Sequence, residues 1–111
     1  MGAGGNIQQI SVRLVDLARD IKDELENMVK KRGIEEADDF ILELLDEHWI
    51  DLRNTVKGFA SKAESRKICE KIFYLMRQYL RGDLTESLLE EEFKRLLSRE
   101  KQQYKRNVVQ L

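Results

Sequence analysis

Along the first quarter of the chain, apolar residues recur at steps of three and four, at Ile7, Ile10, Leu14, Leu17, Ile21, Leu25 and Met28. That spacing places all of them on one side of a 3.6-residue helix, a pattern that a strand with its period of two does not hold. Similar spacing returns three more times, and no proline interrupts it anywhere in the 111 residues. Charged residues make up 37% of the chain, against about 25% in an average soluble domain, which suits long helices with one solvated face. The expected class is all-α.

Helix ends are signalled as clearly as helix faces. Asn6 stands at a capping position with Gln9 three residues on, and Lys30, Lys31 and Arg32 precede Gly33, placing cations at the negative helix end ahead of a glycine stop. A second helix is expected from near Glu35 to Gly58, with Ala37, Ile41, Leu44, Leu45, His48, Trp49, Leu52 and Val56 inward. Ser61 and Glu64 form a capping box for a third, which carries Ile68, Cys69, Ile72, Phe73, Leu75, Met76, Tyr79 and Leu80 inward and closes at Gly82. Asp83 with Glu86, or Thr85 alone, caps a fourth bearing Leu88, Leu89, Phe93, Leu96, Leu97 and Tyr104.

Helices of roughly 20 to 26 residues span about 30 to 39 Å. Short links force neighbours antiparallel, so the first expectation is one domain over residues 1–111 built as a four-helix up-down-up-down bundle. Paired helical hairpins that close as a dimer are the alternative. Residues 1–6 read as a flexible start, and residues 104–111, where apolar density falls, as a projecting or frayed end.

Several functional classes are excluded or weakened. The longest apolar run, Ile72 to Met76, is far too short for a membrane span, which needs about 18 residues. The first six residues lack a signal peptide's basic flank and apolar core, and Asn6 stands where N-myristoylation requires Ser or Thr after Gly2. The single cysteine, Cys69, cannot form an internal disulfide and points to the cytoplasm. Cys69 reads as a small core hydrophobe, and His48, the one histidine, as a packed side chain with one hydrogen-bond partner. A di-iron site would need Glu-x-x-His pairs, whereas Leu45 stands three residues before His48. No cofactor is expected.

Net charge is −1, yet its distribution is uneven. Residues 33 to 58 hold eight acids and two bases, a net of −6, while residues 59 to 82 hold six bases and two acids, a net of +4. The acidic start of the second helix, Glu35, Glu36, Asp38 and Asp39, has the spacing of a magnesium site, with Asp23 and Glu26 the only helix-one counterpart; the same charges also suit a helix N-terminus. On the third helix Lys67, Lys71, Tyr74, Gln78 and Arg81 fall on one ridge with Arg66 beside it, and Lys101, Lys105 and Arg106 extend the basic character to the chain end. Such a ridge suits phosphates, with Tyr74 able to stack on a base, although a solvated face, partly answered by the acidic helix, is the better-supported reading. Ile50, on a charged face, and Val108, Val109 and Leu111, at the chain end, are candidate partner contacts.

No motif specifies a chemistry. The leading expectation is a non-enzymatic helical interaction protein, a small subunit or adaptor that binds a protein partner or itself. A nucleic-acid-associated protein using the basic ridge is the alternative, and a magnesium-dependent nucleotide hydrolase the third reading.

Overall fold

A computed structural model describes residues 7–57 and 62–110, with side chains described for residues 7–57 and 66–99. The elements in order are α1 (Ile7–Arg32), a 3-10 turn (Ile34–Glu36), α2 (Ala37–Glu47), α3 (Trp49–Val56), α4 (Lys62–Leu80) and α5 (Glu86–Gln110). The fold is all-helical, with no strand among the described residues. No helix there is long and apolar enough to cross a membrane.

α1 buries Ile10, Leu14, Val15, Ala18, Ile21 and Leu25, the stripe its period demands. It stops where Gly33 takes a positive φ of 96°, a value that side-chain-bearing residues avoid, while the Gly33 N–H still donates to the Val29 carbonyl at 2.8 Å. The ψ of 160° then carries the chain away extended instead of into the left-handed cap the sequence suggests.

The expected second helix is two helices. His48 leaves helical geometry, with φ −95° and ψ 10°, so α2 ends at Glu47 and α3 begins at Trp49. No proline or glycine causes this break. His48 still donates its backbone N–H to Leu44 and accepts from Leu52, so the hydrogen-bonded chain continues across the break. Its imidazole is at the same time held by carboxylates from α1 and α3, a tertiary demand that the local pattern does not show.

The α4 terminus closes as a Schellman motif: the Asp83 N–H donates to Gln78 at 2.8 Å and the Gly82 N–H to Tyr79 at 3.0 Å, with Gly82 at φ 89°. Of the two caps the sequence offers for α5, Thr85 is the one used, its Oγ accepting from the Leu88 N–H at 3.2 Å.

α1 packs against α2, α3, α4 and α5, and α4 against α2, α3 and α5. The buried apolar residues form one cluster. Leu14, Ile21, Val56, Ile68, Ile72, Leu89, Phe93 and Leu97 sit at its centre, fully excluded from solvent. Several assignments change, those of Phe40 and Leu88 most. Phe40, absent from the expected inward set, is buried, with the Arg32 guanidinium 5.6 Å from its ring centre; Leu88, expected inward, is exposed. α5 turns only a narrow stripe, Leu89, Phe93 and Leu97, to the core, and Leu88 lies about 100° around the helix from Leu89. The sequence signals at Gly58, Ser61 and Glu64 lie outside the described residues or side chains.

Candidate functional site

The α4 ridge forms as its spacing requires. Arg66, Lys67, Lys71, Tyr74 and Arg81 are exposed and Gln78 is half-buried. Its members are nevertheless partly committed to neighbours. Arg81 reaches Asp38 on α2 at 3.6 Å, Arg66 lies 3.8 Å from Glu70, and Gln78 Nε2 donates to the Tyr74 hydroxyl at 3.1 Å. Between α4 and α5 the ridge borders a groove of about 410 Å³ floored by Leu75 and Leu96, where Arg95 and Arg99 of α5 join Lys71 and Tyr74. The acids Glu70 and Glu92 line the same groove, and Arg95 bonds Glu92 at 3.1 Å, so its charge is mixed. Lys101, Lys105, Arg106, Val108, Val109 and Leu111 lie outside the described side chains.

Glu35, Glu36, Asp38 and Asp39 are all exposed, the first two on the 3-10 turn and the others in the first turn of α2. There they face the positive end of the helix, and Asp38 answers Arg81. Asp23 and Glu26 are exposed as well. Among the described residues no three His, Cys, Asp or Glu side chains converge to hold a metal ion.

His48 has two partners where the sequence suggested one. Its Nε2 lies 3.2 Å from Glu24 Oε2 on α1, and its Nδ1 3.3 Å from Asp51 Oδ2 on α3. A neutral imidazole offers a single N–H, whereas two ionised carboxylates accept and cannot donate, so both contacts are satisfied together only by the imidazolium. Burial works against that charge; the two carboxylates outweigh it and hold the His48 pKa above its ordinary value. Cys69 is fully buried, and burial pushes its thiol up, against a smaller opposing pull from Arg53. It is packed as a small hydrophobe.

On the other side of α4 lies a groove of about 370 Å³ lined by Asp46, Trp49, Glu70 and Phe73. The Trp49 and Phe73 rings meet edge to face, 5.7 Å between centres and 67° between planes. Both are only half-buried, and exposed Leu42 precedes Asp46 by one helical turn. This acid-rimmed aromatic groove is absent from the sequence expectations, which place Trp49 and Phe73 inward. Leu42, Asp46 and Trp49 follow one another at steps of four and three, a legible signal that an inward assignment of the aromatic overrides. Ile50 does stand out at 68% exposure, as its position on the charged face predicts.

Comparisons with protein-family models, with curated proteins and with solved structures find no match to this chain.

Proposed function

We propose that this chain is a non-enzymatic helical interaction protein, a small subunit or adaptor that docks on a protein partner or on itself. The observation that carries the reading is the acid-rimmed groove at Trp49 and Phe73: two half-buried aromatics beside exposed Leu42, on a surface otherwise dense in charge. Exposed aromatic and aliphatic side chains flanked by polar ones are the usual make-up of a protein-binding patch. Exposed Ile50, with Val108, Val109 and Leu111 of the chain end, belongs to the same reading as accessory contacts.

The finer architecture that fits is an up-down four-helix bundle in which α2 and α3 together fill one helix position. The packing partners support it, since α1 and α4 each touch both the α2–α3 pair and α5. The last turns of α5 then project: the long axis measures 54 Å, against about 39 Å for the 26 residues of α1. A single buried thiol suits a reducing cytoplasm.

Nucleic-acid binding through the α4 ridge is favoured by one feature, the 60% exposed Tyr74 beside Lys71, Arg95 and Arg99. Glu70 and Glu92 in the same groove weigh against it. Light scattering after size exclusion separates the two readings, run on the protein alone, with a cross-linked cell extract, and with short single-stranded and duplex oligonucleotides at low and high salt. Mass above one chain, alone or with a protein, and no nucleic-acid complex is the expected result. A salt-sensitive complex with an oligonucleotide transfers the function to the ridge, because phosphate binding releases counterions and weakens steeply with salt. A monomer that captures no protein overturns the interaction reading.

A further inference from the structure

The groove at Trp49 has a chemistry that narrows its occupant. Its floor is aromatic, exposed Leu42 lengthens the apolar strip, and its two charged lining residues are both acids, Asp46 and Glu70. Among the described residues Glu70 is paired only with Arg66, at 3.8 Å and through a side chain that is 80% exposed, and Asp46 has no ion pair there. A strip of this kind fits a helix that carries an apolar stripe with cations alongside it: the stripe covers the rings while the cations meet the two carboxylates.

The chain itself contains such a helix. α5 runs on as helix to Gln110, whereas its last buried residue among those described is Leu97. In the 13 residues from Ser98 to Gln110, Tyr104 and Val108 stand one helical turn apart, and Leu111 continues their spacing. Lys101 and Lys105, also one turn apart, flank that stripe, and residues 98–110 hold four bases against one acid. The segment is about 20 Å long as helix, ample for a groove that spans the eight residues from Leu42 to Trp49.

We infer that the acid-rimmed Trp49–Phe73 groove of one copy receives the basic end of α5 from a second copy, and that reciprocal exchange of the two arms makes a two-fold dimer. The inference rests on the interaction reading above and names its partner. Reciprocity follows from closure: each copy carries one groove and one arm, and a two-fold axis satisfies all four without leaving an open end.

Charge exchange in the full chain provides the test, with mass read by light scattering over a dilution series and Trp49, the only tryptophan, as fluorescence reporter. The native chain is expected at twice its 13.1 kDa mass, with Trp49 emission changing as it dissociates on dilution and in high salt. Asp46→Lys with Glu70→Lys, or Lys101→Glu with Lys105→Glu, each weakens the dimer by about ten-fold, the order set by two exposed charge pairs. The chain carrying all four changes regains it, a recovery that a folding defect does not produce. A dimer unaffected by either charge reversal, with Trp49 emission constant on dilution, overturns the assignment and leaves the interaction reading standing on another surface. A chain that is monomeric throughout overturns the dimer; if it captures a foreign protein, the interaction reading survives, and if it captures nothing, both fall.

Discussion

Ser11 is the one polar residue in the core, fully buried, and its hydroxyl has no hydrogen-bond partner among the described residues. A buried donor left unmade costs about 1–3 kcal/mol, so Ser11→Ala is expected to leave stability unchanged or raise it by about 1 kcal/mol, measured by urea unfolding. Phe93 is the opposite case. Its ring is fully buried on the core stripe of α5, and Phe93→Ala should cost about 3–5 kcal/mol through lost burial and the cavity left behind. His48 ties stability to pH. Its folded-state pKa lies above the ordinary value, so its contribution is complete below the unfolded histidine pKa and is lost as pH rises through the folded value. The native chain should therefore lose stability on going from pH 6 to pH 9 by a margin that His48→Gln abolishes, read from melting temperatures of both proteins. Equal slopes for the two would mean that Glu24 and Asp51 do not hold the imidazolium.

At the level of elements, the ends are set by a few residues whose replacement has predictable cost. Gly82 at φ 89° has nothing within 4 Å of where a Cβ would stand, so Gly82→Ala meets backbone strain alone, about 1–2 kcal/mol. Thr85→Ala removes the α5 cap at about 1 kcal/mol, and Thr85→Ser should restore most of it. α1, α4 and α5 were legible in the sequence because capping and period act within a few residues of each other. The α2–α3 break was not, since its visible correlate is a carboxylate on α1, 24 residues away, closing on the His48 ring. Phe40 and Leu88 escaped for a related reason. Each sits at the edge of an apolar arc, where the neighbouring helix decides which side is covered. The basic ridge was readable as a periodicity on one helix; the acid-rimmed groove needed three helices to come together, with Asp46 on α2, Trp49 on α3, and Glu70 and Phe73 on α4.

For the molecule as a whole, the buried apolar residues form one connected cluster to which every α-helix contributes. Unfolding by heat is accordingly expected as a single transition, with calorimetric and van't Hoff enthalpies in agreement. Within that cooperative whole the secondary elements are unequal. α2 and α3 have 11 and 8 residues, both shorter than the roughly 12–15 residues at which an isolated helix becomes even marginal in water. Dividing one side of the molecule at His48 thus produces two pieces that depend almost wholly on α1 and α4 for their order. In native-state hydrogen exchange the amides of α3 should trade their protons soonest among the helices described in the core, through partial openings that leave α1 and α4 protected. The surface that carries Trp49 would then be borrowed, for brief intervals, from the least persistent part of the protein.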